Sequence, residues 1–194
     1  MERFTSNTSS QEKNEKIEKP FEFEKSPIEG VEIMSGDLLF KKIMKPGEEF
    51  FGDSRFDKRN YTGNEEDENS GAFMFSSLET MQGKERIYFL SKEDDGTVAA
   101  IAKTGLAKGY YPEDETARMV SFVSTDKKYE SRGHGRKLLE AIMEHASRNN
   151  LVIIGTSYEK DGKVRLKPIV KDIARDFGTE YYDFQDLMNR LNED

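Results

Sequence analysis

The chain has 194 residues, with 30 lysines and arginines against 38 aspartates and glutamates, no cysteine and two histidines. Its formal net charge of −8 argues against nucleic acid or a membrane as a partner, because both attract positive charge. The absence of cysteine excludes disulfides and thiolate metal sites, and two histidines argue against a protein-bound transition metal ion.

The length allows one domain of ordinary size together with a tail. The first stretch, MERFTSNTSSQEKNEKIEKP, lacks the apolar segment of a signal peptide. No window reaches the roughly 18 consecutive apolar residues of a membrane helix. We therefore expect a cytoplasmic protein.

Residues 1–35 are rich in Glu, Lys, Ser and Asn, and their apolar residues show no sustained period. Such a composition buries too little surface to offset the loss of conformational entropy. We therefore predict a disordered or extended N-terminal tail, 1–35, followed by a single domain, 36–194. Within the tail, PFEFEKSPIEGVEIM could instead form a short strand or dock on a partner. The acidic residues 60–71 are predicted to form a solvated loop.

Two apolar runs, RIYFLS (86–91) and TVAAIAKTGLA (97–107), flank the sequence KEDDGT. The Asp95-Gly96 pair suits a turn with positive φ, which predicts a β-hairpin. The run ARMVSFVST (117–125) is apolar and β-branched, as in a central strand. The three strands together predict an antiparallel meander.

The apolar period becomes helical after Arg136, with a stripe at Leu138, Leu139, Ile142, Met143 and Ala146. This helix is predicted to end at RNN (148–150), before LVIIGTS (151–157), a strand buried on both faces. Strand, turn, helix and strand make a βαβ unit. A helix over 166–177, an edge strand in TEYYDF (179–184) and a short last helix follow. The predicted fold class is α+β, with a mixed, mostly antiparallel central sheet, flanking helices and one βαβ crossover.

The turn before the long helix contains the sequence RGHG (132–135). The first N–H groups of a helix lack partners and carry roughly half a positive charge, so they attract anions. Gly133 and Gly135 would let an oxygen-rich group approach the backbone. Further positive charge comes from nearby basic residues, namely Lys127, Lys128, Arg132, Arg136 and Lys137. The turn is therefore a candidate diphosphate site; the alternative is a tight turn with a solvated basic face.

Two common phosphate-binding patterns are absent. Arg136, Lys137 and Leu138 follow Gly135, so the P-loop pattern G-x-x-x-x-G-K-[ST] is not formed. The dinucleotide pattern G-x-G-x-x-G also fails, and the preceding strands are predicted to be antiparallel.

The segment TDKKYESRGHGRKLL instead resembles the signature of the GNAT superfamily of N-acetyltransferases, V-x-P-x-Y-[RQ]-x-x-G-x-G-x-x-L-L. The matching positions are Tyr129, Gly133, Gly135, Leu138 and Leu139. Thr125 stands where the family usually has valine, Lys127 replaces the frequent proline, and Glu130 takes the usual Arg or Gln position. The predicted strand order extends the resemblance over residues 86–177. Before residue 76 the correspondence is loose, with DLLFKKIM (37–44) as a candidate first strand.

The resemblance implies acetyl-CoA as a co-substrate, with pantetheine along residues 123–125 and diphosphate at the amides of residues 130–136. The next strand is expected to diverge and open a cleft. The implied coenzyme-binding residues are Val123, Ser124, Thr125, Glu130, Ser131, Arg132, Gly133, His134, Gly135 and Arg136. His134 is expected to face solvent or the phosphates, and His145 to lie on the surface.

The resemblance also implies proton transfer during the attack of an amine on the thioester. A lysine-type amine has a pKa near 10.4 and must lose a proton. Candidate bases are Glu113, Asp114, Glu115 and Asp126, whereas Ser121 or Ser124 could order a water molecule. Tyr158 is the candidate acid for the departing thiolate, ahead of Tyr181 and Tyr182; each of these could equally be a packing aromatic.

The leading hypothesis is an acyl-CoA-dependent N-acetyltransferase that moves an acetyl group from acetyl-CoA to a primary amine. The acceptor would be a cationic amine, small molecule or protein, attracted by the acidic surface. The alternative is a non-catalytic CoA-binding or protein-interaction module with a GNAT-like fold. A weaker third hypothesis is an inhibitor whose acidic segments mimic nucleic acid.

Overall fold

The computed structural model describes residues 21–43, 85–107, 116–155 and 167–191. Within these ranges the chain forms a seven-stranded sheet in which the strands lie side by side in chain order. The strands are β1 (Phe23–Lys25), β2 (Val31–Ser35), β3 (Ile87–Lys92), β4 (Val98–Leu106), β5 (Ala117–Thr125), β6 (Val152–Gly155) and β7 (Tyr181–Asp183). The described helices are α1 (Gly36–Ile43), α2 (His134–Arg148), α3 (Lys167–Asp176) and α4 (Phe184–Leu191).

Strands β1 to β5 pair antiparallel, and β5, β6 and β7 pair parallel. The predicted α+β class and the meander of β3, β4 and β5 are confirmed. The hairpin turns at Gly96, whose φ of 86° is in the left-handed region that favours glycine. Because β7 is parallel to β6 and follows α3, the sheet has a second parallel connection beyond the one predicted crossover.

The N-terminal part of the chain decides between two predictions and corrects a third. Residues 23–25 and 31–35 are strands of the sheet, so the alternative of a strand within PFEFEKSPIEGVEIM is confirmed, and these residues belong to the domain rather than to a separate tail. The segment DLLFKKIM falls largely in helix α1 rather than in a strand. Ile33 is fully buried and pairs with Phe89 of β3. This long-range contact is not visible in the local sequence pattern. Residues 1–20 and the predicted acidic loop 60–71 lie outside the described residues.

Helix α2 packs its predicted apolar stripe on one face of the sheet. All five residues of the stripe are at most 2% exposed and join the main core with Phe89 and Ala102. Asn150 has a φ of 52° just beyond the helix, as expected for an asparagine at a helix end. Because α2 connects β5 to β6, this packing also determines where the turn before the helix lies.

His145 lies inside the protein, contrary to the prediction of a surface position. It is 6% exposed, and its ring makes edge contacts with Phe21 and Phe89. Its Nδ1 lies 3.3 Å from a carboxylate oxygen of Glu24 in β1, which also accepts a hydrogen bond from Arg148. The histidine thus joins the C-terminal half of α2 to the edge strand, which helical periodicity alone does not reveal.

In the described part of the chain, none of the helices has the length and apolar character of a membrane span.

The buried histidine should make stability depend on pH. Burial lowers the pKa of His145, although the hydrogen bond and charge of Glu24 act in the opposite direction. The folded state therefore releases the His145 proton more readily than the unfolded chain, so this residue lowers stability as pH falls below about 6.5. The loss is complete once the pH is below the lowered pKa of the folded state.

We expect the His145→Gln variant to lose less stability than the wild type as pH falls through this window. Urea unfolding at several pH values measures the difference. Glu24 affects stability in a different pH range. Despite its burial, hydrogen bonds from Arg148 and His145 lower its pKa, so the stability that its ionised form contributes is lost only in more acidic solution. Equal pH dependence in variant and wild type would contradict the assignment.

Candidate functional site

The described ladder between β5 and β6 is short. It covers Ala117–Met119 opposite Val152–Ile154, and β5 then continues to Thr125 without a further pair to β6 among the described residues. The carboxyl ends of parallel strands are where ligands bind in open α/β sheets. The gap that the resemblance predicts beside β5 involves the residues after Gly155, which lie outside the described ranges.

A β-bulge lies in β5 just beyond the described ladder with β6. In the pairing with β4, Lys103 faces Phe122 and Thr104 faces Val120, so Ser121 is the extra residue. Ser121 is exposed. A bulge redirects the backbone and is frequent next to active sites. Sequence analysis missed it because neither glycine nor proline marks the position.

The turn between β5 and α2 alternates the sign of φ. Ser131 has a φ of 63° and Gly133 a φ of 86°, with Arg132 between them outside the positive region. Such alternation directs successive N–H groups into one concavity that binds anions. A Cβ built on Gly133 would have no atom within 4 Å, so there is open space beside the turn. Gly133 caps α2 without a side-chain hydrogen bond.

The two arginines of this turn are held by acidic partners. Arg132 lies 3.2 Å from Glu93, and Arg136 donates a 2.8 Å hydrogen bond to Glu140. Both arginine side chains are more than half exposed, at 55% and 61%. Solvent screening makes exposed ion pairs weak, so either arginine could exchange its carboxylate for a phosphate. Glu130 is also exposed.

His134 does not face solvent, contrary to the prediction. It is 5% exposed; its Nδ1 lies 2.8 Å from the Ser91 hydroxyl and its Nε2 lies 3.1 Å from Glu93. A serine, a histidine and a glutamate in contact are the residue types of a hydrolase triad. Ser91 is fully buried on β3 and is inaccessible to a substrate, so this cluster fixes the start of α2 to the β3–β4 hairpin.

The residues between β5 and Ser131 form a compact turn. Asp126, a candidate base, is 5% exposed, and its carboxylate accepts a hydrogen bond from the Lys128 amide. This contact makes Asp126 a turn-capping residue. Tyr129 is buried, with the cationic groups of Lys128 and Arg132 about 5.2 and 5.3 Å from its ring centroid.

The remaining predicted site residues are distributed as follows. Val123 packs against the core under α2, and Ser124 and Thr125 pair with Ile101 and Ala100 of β4. Gly135 lies in the first turn of α2. The candidate acid Tyr158 and the candidate bases Glu113, Asp114 and Glu115 lie outside the described residues.

The two other tyrosine candidates flank the sheet edge. The Tyr181 ring lies against Gly155 at the end of β6, where a larger side chain would collide with it. The Tyr182 hydroxyl donates a 2.5 Å hydrogen bond to Glu180. Nowhere in the described ranges do three metal-ligating side chains converge.

A sequence model of the Acetyltransferase (GNAT) family matches residues 49–166, which is more than half of the chain. No curated protein matches the chain at significant similarity.

Several solved structures are similar to this one in fold. The ribosomal-protein-S18-alanine N-acetyltransferase from Escherichia coli is 22% identical, with 40% of this chain and 47% of that enzyme covered and a TM-score of 0.33. The chain thus spans about half of that enzyme. An aminoglycoside acetyltransferase from an uncultured soil metagenomic sample, in complex with sisomicin, is 14% identical over 76% of this chain and 85% of its own, with a TM-score of 0.45. An aminoglycoside antibiotic 6'-N-acetyltransferase from Acinetobacter baumannii is 10% identical over 53% and 70%, with a TM-score of 0.39.

The His134 contacts should stabilise the fold through Ser91 and Glu93. His134→Phe leaves the buried Ser91 hydroxyl without its partner, which costs about 1–3 kcal/mol in the free energy of unfolding. Urea unfolding measures this cost. In the double variant with Ser91→Ala the two losses should not add, because both remove the same hydrogen bond. Additive losses would show that the contact is not energetically coupled.

Proposed function

Because this chain belongs to the GNAT acetyltransferase family, we propose that it transfers an acetyl group from acetyl-CoA to a primary amine. The observation that carries the proposal is the start of α2, where left-handed residues at Ser131 and Gly133 follow the part of β5 that extends beyond its described ladder with β6. We infer that an anion-binding turn and a gap between these strands meet there.

The residues of the turn fit the diphosphate of coenzyme A. The amides of residues 130–136 supply donors, and the open space at Gly133 admits phosphate oxygens close to the backbone. Arg132 and Arg136 can add charge by leaving their exposed carboxylate partners. We assign the binding of the pantetheine amides to residues 123–125 of β5, which lie beyond the described ladder with β6.

The reaction replaces one acyl bond by another. The amine nitrogen attacks the thioester carbonyl, the C–S bond breaks as the C–N bond forms, and the departing thiolate takes up a proton. We assign the ordering of a proton-relaying water to Ser121 or Ser124 and the protonation of the thiolate to Tyr158. We assign the stabilisation of negative charge on the carbonyl oxygen to a backbone N–H at the bulge of β5.

The acceptor would be a cationic amine, either a small molecule or a protein. The net charge of −8 favours its approach over long range.

Acetyl-CoA should raise the thermal unfolding midpoint of the protein. At a concentration about a hundredfold above Kd, a ligand that binds only the folded state stabilises it by about 2.7 kcal/mol. Gly135→Glu should remove this shift, because it adds a carboxylate at the diphosphate site. Gln185→Glu adds the same charge at an exposed position of α4 and should leave the shift unchanged.

Gly133→Ala provides a second test with a closely matched control. Gly133 and Gly96 share a φ of 86° and the same lack of neighbours within 4 Å. Alanine at either position should therefore cost a similar stability of roughly 1–2 kcal/mol. Only Gly133→Ala should weaken acetyl-CoA binding; equal binding by both variants would exclude the turn as the coenzyme site.

Tyr158→Phe should lower kcat by about a hundredfold with little change in acetyl-CoA binding, since it removes the proton donor. The assay is release of coenzyme thiol on a panel of amines, with products identified by mass spectrometry. Tyr182→Phe, which removes a hydroxyl bonded to Glu180, serves as the control. A Tyr158→Phe enzyme with unchanged kcat would disprove the assignment.

The same measurements distinguish a non-catalytic module. A midpoint shift with acetyl-CoA, combined with no thiol release on a broad amine panel, would identify a coenzyme-binding protein without turnover.

A further inference from the structure

A row of three side chains crosses β3, β4 and β5, beside the proposed gap between β5 and β6. The strand registers place Tyr88 of β3 opposite Lys103 of β4, and Lys103 opposite Phe122 of β5. Their chain neighbours Phe89, Ala102 and Val123 pack under α2. Because successive side chains of a strand point to opposite faces, the row lies on the face away from α2.

Lys103 is a half-buried cation in this row. Its ammonium lies 5.5 Å from the centroid of the Phe122 ring, a contact that favours a positive charge above an aromatic face. Burial and the nearby positive charge of Arg86 lower the pKa of Lys103. Both influences disfavour the ammonium, and a bound anion would relieve both.

Within the described residues, no carboxylate forms an ion pair with Lys103. Glu32 lies on the same face of the sheet, but it is 2.8 Å from Lys92. A partly buried charge without a counter-charge is costly, and an anionic ligand would remove that cost.

Tyr88 adds no negative charge to the row. It is only 2% exposed, so its hydroxyl is inaccessible to a ligand, and burial raises the pKa of that hydroxyl to about 12. The Lys103 ammonium is therefore the group of the row that is suited to binding a carboxylate or a phosphate.

The row ends on the part of β5 that extends beyond its described ladder with β6. Phe122 is adjacent to the bulge at Ser121, and both lie beyond the last described pair between β5 and β6. An acceptor that places its amine at the thioester beside the bulge would therefore bring its other groups near Lys103.

We propose that Lys103 binds an anionic group, a carboxylate or a phosphate, that the acceptor carries close to its reacting amine. This inference rests on the proposed function and narrows its substrate class: the acceptor is an amine with a neighbouring anion rather than a polyamine.

Matched pairs of acceptors test whether the enzyme prefers an acceptor with an anionic group, and whether that group is a carboxylate or a phosphate. Two pairs differ by a carboxylate: tyrosine and tyramine, and lysine and cadaverine. A third pair, glucosamine 6-phosphate and glucosamine, differs by a phosphate. In at least one pair the anionic member should have a kcat/KM at least about tenfold higher, as expected for a hydrogen-bonded charge. The pair with the larger ratio identifies the anion.

Variants test whether Lys103 causes the preference for anionic acceptors. Lys103→Met retains the length and apolar packing of the side chain, and it should remove the preference by raising KM for the anionic member of the pair alone. Lys103→Arg should retain most of the preference. Lys25→Met, an exposed lysine three strands away on β1, makes the same charge change and should have no effect. A kcat that falls equally on all amines would assign Lys103 to proton transfer and overturn the proposal.

Failure of this inference can be separated from failure of the proposed function. The acetyl-CoA midpoint shift and thiol release on any amine test the function first. Calorimetric titration of the same acceptor pairs into the protein, with and without coenzyme A, measures the anion preference without turnover. Equal affinities within every pair, or acetylation of Lys103 itself by mass spectrometry, would reject the anion-binding role.

Discussion

The proposed site depends on where the parallel ladder between β5 and β6 ends. A parallel ladder satisfies the amides of both strands, so a ligand can lie between them only where the ladder stops. Among the described residues the ladder ends at Met119 and Ile154, whereas β5 runs on to Thr125. The bulge at Ser121, the turn at Ser131 and Gly133, and Phe122 at the end of the Lys103 row all lie beyond that point.

Helix α2 is joined to the sheet near both of its ends. Near its start, His134 contacts Ser91 and Glu93 of the β3–β4 hairpin, and near its end His145 contacts Glu24 of β1. Both histidines are buried, and their contacts reach strands on the far side of the sheet from β6. The apolar stripe packs the helix on the sheet between these two polar contacts.

Two acidic side chains lie beside the turn that we propose as the coenzyme site. Glu93 and Glu140 neutralise the two arginines that would meet phosphate. In exposed positions such pairs are weak, so the arginines remain oriented near the turn while still able to change partners. The backbone amides, which no titration or mutation of a side chain removes, are the constant part of this site.

The sequence by itself determined every element whose signal is local. The Asp95-Gly96 turn, the strand 117–125, the helical stripe of α2 and the Gly-x-Gly turn all depend on neighbours within a few residues, and each lies where the pattern predicts it. The role of the turn as a coenzyme site remains a prediction.

Tertiary structure decided what depends on distant partners. Residues 31–35 form a strand by pairing with β3, and residues 23–25 form one by pairing with residues 31–35 in turn. His134 and His145 are buried against Ser91, Glu93 and Glu24, which lie far away in the chain. The bulge at Ser121 and the position of Lys103 opposite Tyr88 and Phe122 are likewise properties of register between strands. Register follows from the packing of whole faces, and so no short stretch of this chain could reveal it.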